Sequence, residues 1–140
     1  MEAFARFDLA ARDAAQWVDD LARRLGWLDR EKACVALLAA LHGLRDSMPP
    51  REAALLGQAM TPLVRGLYFE GWRMARPSAA FTSRDGFLER IRDGVHRDAG
   101  IDAEQVARAV LALLAAHLPA AELEDAKAVT PKELRAFWPV

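Results

Sequence analysis

Two Thr-Pro pairs stand 69 positions apart in this chain, Thr61-Pro62 and Thr130-Pro131, and the sequence around them recurs at the same offset. Leu37, Leu41, Leu44 and Pro50 return as Val106, Val110, Leu113 and Pro119. One position further out of step, Asp13, Trp17, Leu21 and Leu25 return as Ser83, Phe87, Ile91 and Val95. Identity between the halves is low. What is kept is apolar side chains every three or four residues, the spacing of one face of a helix, punctuated by prolines and capping residues. A unit of this size supplies only a marginal core by itself, so two of them are expected to share one. The pattern predicts an all-α, compact bundle of about eight helices built from two tandem four-helix repeats. Repeat one covers 8–72, a loop 73–82 and repeat two 83–138, all within a single domain over 1–140.

The punctuation places the helices. Asp13 reads as the cap of a helix carrying Trp17, Leu21 and Leu25, which Gly26 closes. Asp29 opens a long second helix whose stripe is Cys34, Leu37, Leu38, Leu41, Leu44 and Met48, and Pro49-Pro50 ends it. Pro50 starts a short third helix containing Leu55 and Leu56, and Thr61-Pro62 a fourth running through Val64, Leu67 and Tyr68. The second half repeats the order. Thr82 with Asp85, or Ser83 alone, caps the helix of Phe87, Ile91 and Val95, and Gly100 breaks it. Asp102 with Gln105 caps the helix of Val106 to Leu118. Pro119 precedes a short segment around Leu123 and Ala126, and Thr130-Pro131 caps a last helix bearing Leu134, Phe137 and Trp138. Composition agrees: 29 alanines, the best helix former, against eight Val, two Ile and three Thr.

The run Leu41-His42-Gly43-Leu44-Arg45-Asp46-Ser47-Met48-Pro49, with Ala36 to Ala40 before it, resembles the signature of a bacterial family known as domain of unknown function 2267. So do Arg65-Gly66-Leu67-Tyr68-Phe69-Glu70-Gly71-Trp72 and the closing Thr130-Pro131-Lys132-Glu133-Leu134-Arg135-Ala136-Phe137-Trp138. The chain has Thr-Pro at both places where that family is expected to carry Leu-Pro, a change that leaves a helix start intact. The resemblance spans nearly the whole chain. It implies a bacterial, helical protein and brings no known activity, cofactor or catalytic residue with it.

Chemistry is sparse. The three histidines, His42, His96 and His117, belong to no metal-binding motif, although Asp93 and His96 sit three apart on a helix. Cys34, on the apolar stripe, reads as a buried, inert thiol and excludes an intrachain disulfide. No serine has a nucleophile-elbow context and no Gly-rich loop could cradle a phosphate. The formal charge is −1, and segment 73–97, with Arg73, Arg76, Arg84, Arg90, Arg92 and Arg97 against three carboxylates, is the best nucleic-acid candidate. Asp85, Glu89 and Asp93 on the same helix weaken that field. The longest apolar runs, Ala33–Leu41 and Ala109–Ala116, are about half a membrane span, and no basic-then-apolar leader is visible.

The residues that invite a role are the arginines Arg45, Arg65 and Arg135, each among apolar neighbours, where the ordinary reading is an anchor to a carboxylate or a carbonyl. Tyr68 and the unit-closing Trp72 and Trp138 join them as candidates for ligand or partner binding. The expectation is a non-enzymatic, cytoplasmic helical interaction or assembly module without cofactor, acting by self-association or on a protein partner. The alternatives are a nucleic-acid-associated regulator through 73–97 and a small-anion binder through the arginines. Nucleic acid and membrane are the less expected partners.

Overall fold

The computed structural model describes residues 2–140. They form α1 (Glu2–Leu25), α2 (Arg30–Asp46), α3 (Pro50–Gln58), α4 (Pro62–Phe69), α5 (Ala79–Thr82), α6 (Arg84–Gly94), α7 (Ala103–His117), α8 (Ala120–Val129) and a closing 3-10 helix (Lys132–Phe137), with no strand among the described residues. Among the described residues no helix is long and apolar enough to cross a membrane.

Several ends are set as the sequence predicts. Gly26 takes φ 72° and returns its N–H to Arg23, while Trp27 donates to Ala22, the double bond that terminates α1. Asp29 accepts from the Lys32 amide at 3.1 Å, Ser83 from Gly86 at 3.0 Å, and Asp102 from Glu104 and Gln105. Each side chain thereby satisfies a donor that the first turn of a helix leaves open.

α2 lies in the middle of the bundle and is buried on nearly every side, with Ala33, Ala36, Leu37, Ala40, Leu41 and Leu44 out of solvent. It touches α1, α4, α6 and α7. Its approach to α6 is close because the facing residues are small. A Cβ added at Gly94 would stand 2.5 Å from the Ala39 Cβ, and one at Gly43 3.2 Å from the Phe87 ring. One apolar cluster joins Leu37, Leu41 and Leu44 of α2 to Phe87 and Ile91 of α6 and to Val106, Val110 and Leu113 of α7. Each such side chain, fully buried, contributes about 1.5–3 kcal/mol.

The contacts come in matched sets. α1 packs on α2 and α7, and α6 packs on α7 and α2. α4 packs on α1 and α2, the 3-10 helix on α6 and α7, and α3 lies against α8. α3 also packs on α4, and α5 on α6.

The structure corrects some expectations. Asp13 caps nothing: α1 begins eleven residues earlier, and Asp13, inside it, accepts from the Thr61 hydroxyl at 3.4 Å. Thr61 therefore makes no cap bond with its side chain. Thr130 does not cap either. Its hydroxyl donates back to the Ala126 carbonyl at 2.6 Å and accepts the Trp138 indole N–H at 3.0 Å, and the last helix is 3-10 rather than α. Segment 73–82 is not all loop, since Ala79–Thr82 makes one helical turn. Cys34 and Leu38 are half-buried and Leu55 is exposed, because the helix faces that carry them look past the core edge.

Candidate functional site

Arg45 is the centre of the most connected polar cluster. It lies in the last turn of α2 with 3% of its surface exposed. Its Nε and Nη2 donate to the two carboxylate oxygens of Asp46, at 2.8 and 3.2 Å. Its Nη1 donates to the carbonyls of Tyr68, at 2.7 Å, and Glu70, at 2.9 Å. One turn earlier, His42 Nε2 meets the Leu67 carbonyl at 2.8 Å. The last carbonyls of a helix have no partner within it. Here the side chains of α2 supply the donors that close α4, so the two helix ends are tied together.

The electrostatics follow from that wiring. Burial alone would raise the Asp46 carboxyl, but hydrogen bonds from Arg45 and Arg90 outweigh it and hold the group below the usual carboxylate range. Burial pushes His42 down, against the opposing pull of the Leu67 carbonyl, which accepts from Nε2–H. Tyr68 is wholly buried, donates its hydroxyl to the Ala53 carbonyl at 2.7 Å, and is pushed far up by desolvation.

The other arginines are anchored in a shared manner. Arg65 Nη2 donates to the carbonyls of Gln58 and Met60, seven and five residues earlier. Arg135 donates to Ala128 and Thr130, again seven and five residues earlier. Each therefore staples its own helix start to the end of the helix before it. The Arg65 Nε is buried with no partner. The two tryptophans differ. Trp138 is buried on its hydrogen bond to Thr130, whereas Trp72 is half-buried with its ring 5.5 Å from that of Phe69.

Of the six candidates, Arg45, Tyr68 and Trp72 come together at the junction of α2 and α4. Trp72 and Arg45 there line one cavity with Asp46, Arg73, Arg76, Phe81 and Arg90. Arg65, Arg135 and Trp138 are not on its wall. A second hollow of about 600 Å³ between α3 and α8 has mixed walls, including Arg51, Glu52, Glu122 and Asp125.

Two clusters were missed in the sequence. Asp46 and Arg90 are 44 residues apart and no local spacing could pair them. Asp20, nearly buried, accepts from Arg23 at 2.7 Å, Arg24 at 3.0 Å and His117 Nε2 at 2.8 Å, and the His117 ring lies 5.0 Å from that of Trp17. Desolvation raises Asp20, but the bonds from His117 and Arg24 more than reverse it. This pair couples α1 to the end of α7. The thiol of Cys34 is pushed up by partial burial and by Glu31, so it carries little thiolate. Asp93 holds Arg97 at 2.6 Å rather than facing His96, whose backbone takes φ 58° in the turn after α6. No three His, Cys, Asp or Glu side chains gather into a metal-sized group among the described residues.

No curated protein matches the chain. The family model described as uncharacterized conserved protein, domain of unknown function 2267, matches residues 14–137, which takes in every element from the middle of α1 to the 3-10 helix. The chain belongs to that family.

Proposed function

We propose that this protein is a non-enzymatic helical interaction module made of two related four-helix units, and that it associates with a second copy of itself through the first half of α1. The observation that carries this reading is the exposure of that half. Phe4 is 76% exposed, Phe7 77% and Leu9 56%, while Trp17, Leu21, Ala22 and Leu25 of the same helix are buried. An exposed apolar stripe of this kind marks a contact surface. Phe4, Phe7 and Ala11 fall on one stripe at coiled-coil spacing. In antiparallel pairing the Phe7 ring stands opposite the small Ala11 of the second copy. Charge alternates along the segment, through Glu2, Arg6, Asp8, Arg12 and Asp13, so two copies meet without net repulsion. The matched contacts of the two halves, and the shared anchoring of Arg65 and Arg135, support the two-unit reading.

The area offered is small, so the expected dimer is weak and concentration-dependent. Sedimentation equilibrium of the full chain over a wide concentration range is the test. A monomer–dimer equilibrium that Phe4→Ser with Phe7→Ser abolishes, with the urea midpoint unchanged, is the expected result. A monomer at all concentrations, or a dimer indifferent to the double substitution, sinks the reading. The nucleic-acid alternative through 73–97 has less support, because Arg84, Arg90, Arg92 and Arg97 are each paired with a carboxylate.

A further inference from the structure

Between the end of α2, the side of α6 and the segment that follows α4 lies a cavity of about 410 Å³. Its wall brings Arg45, Arg73, Arg76 and Arg90 together against one carboxylate, Asp46. That carboxylate is already held by Arg45 and Arg90. Arg73 and Arg76 have no ion-pair partner among the described residues, and Arg90 keeps a buried Nε with no acceptor in the protein. The wall thus has an excess of positive charge, and on Arg73 and Arg76 unfilled guanidinium donors, which fit the oxygens of a phosphate. It also has flat apolar faces. Phe81 is 37% exposed with the Arg90 guanidinium 5.8 Å from its ring centre, and the half-buried Trp72 has the Phe69 ring 5.5 Å from its own. Such faces suit a planar ring. The volume is at the small end of ligand sites, room for one nucleotide-sized unit and not for a duplex.

We infer that this cavity binds a phosphate-bearing planar ring, the chemistry of a nucleoside monophosphate. The phosphate lies toward Arg73 and Arg76, and the ring against Trp72 and Phe81. The inference is independent of self-association through α1. The same chemistry is presented by a free mononucleotide and by the 5′-phosphate end of a single strand.

The test is titration of the full chain, followed by calorimetry and tryptophan fluorescence, with four probes: adenosine monophosphate, adenosine, inorganic phosphate and a 5′-phosphorylated DNA tetranucleotide. Adenosine monophosphate is expected to bind at least about tenfold more tightly than either adenosine or phosphate. Arg73→Ala with Arg76→Ala is expected to weaken it by about tenfold or more, as removal of charge-assisted bonds does, while the unfolding midpoint stays put because both side chains are exposed. Tetranucleotide binding as tight as the mononucleotide identifies a strand end as the source, and weaker binding a free nucleotide. Absence of binding by both phosphate-bearing nucleotide probes at millimolar concentration in low salt overturns the inference. So does binding that the double substitution leaves undiminished, or phosphate alone binding as tightly as the nucleotide.

Discussion

The last turns of α2 and of α7, which the 69-residue offset of the sequence aligns, are built from different chemistry. On α2 the last turns carry His42, Arg45 and Asp46, and 69 positions later α7 has Leu111, Leu114 and Ala115. Tyr68, which hydrogen-bonds to Ala53, likewise gives way to Phe137, whose ring packs 5.6 Å from that of Phe87 with Arg84 and Arg108 lying over it. Leu111 and Leu114 are fully buried in the common core. Apolar side chains thus fill α7 at the positions where α2 carries its polar residues, and the polar tie of α7 comes only at its last residue, His117, on Asp20. The polar network of α2 borders the arginine-lined cavity.

Making the two ends alike tests this difference. The largest effect is expected for Arg45→Leu, which copies Leu114. It strands the carbonyls of Tyr68 and Glu70 and leaves the half-buried Asp46 with Arg90 alone. Breaking a buried ion pair from one side costs about 3–5 kcal/mol, readable as a fall in the urea midpoint. Adding Asp46→Ala to that variant should restore part of the loss. If Arg45→Leu alone were neutral, the network would be ornamental.

Tyr68→Phe, which copies Phe137, removes a single hydroxyl and leaves the Ala53 carbonyl without that donor. The expected cost is about 1–3 kcal/mol in chemical denaturation, clearly below the arginine variant. An effect equal to or larger than that of Arg45→Leu would relocate the centre of the network to the tyrosine.

Acidity gives a third, smaller contrast. The folded His42 pKa lies below its ordinary value of about 6.5, so the unfolded chain takes up the proton first. Stability contributed by neutral His42 is present above that value and is lost as pH falls below it. Asp20 and Asp46, also depressed, contribute above the ordinary carboxylate value of about 4 and lose that contribution only as pH falls past it. His42→Leu, which copies Leu111, should therefore flatten the decline in melting midpoint between about pH 7 and pH 5. A decline as steep as that of the parent protein would assign it to another group.

The smallest effect is expected at Cys34, which corresponds to Ala103. The thiol is half-buried, and Cys34→Ala should change stability by no more than about 0.5 kcal/mol. Modification of the native thiol at neutral pH should be slow, because the raised pKa leaves little thiolate. Modification as fast as that of a free cysteine would show that neither burial nor Glu31 protects it.

The sequence was most legible where structure is local. Asp29, Ser83 and Asp102 cap the helices assigned to them, Gly26 ends α1, and Pro50 and Pro119 fall at the starts of α3 and α8, because a cap or a proline acts within a turn of itself. Asp13 misled because a capping residue is also tolerated inside a helix, and nothing near it stops α1 from extending toward Glu2. For Arg45, Arg65 and Arg135 the reading as anchors was available in kind, from arginine among apolar neighbours. The identity of the carbonyls they hold was not, since Tyr68 and Glu70 reach Arg45 only through the folding of α4 onto α2. The Asp46–Arg90 and Asp20–His117 pairs span 44 and 97 residues and are products of the tertiary fold alone.

The first half of α1 also bears on how this chain can change. A helix of about a dozen residues is marginal when it stands alone in water. Here it is continued outward from a seated half that begins near Trp17, so its order is borrowed from one end. Amide exchange along α1 should accelerate steadily from Leu25 toward Glu2. Substitutions at its exposed positions, such as Phe4, Phe7 and Leu9, are expected to leave the stability of the bundle within about 0.5 kcal/mol. The outer half of α1 can therefore diverge in sequence, acquire or lose partners and vary in length, while the residues from Ala14 inward stay constrained by the core.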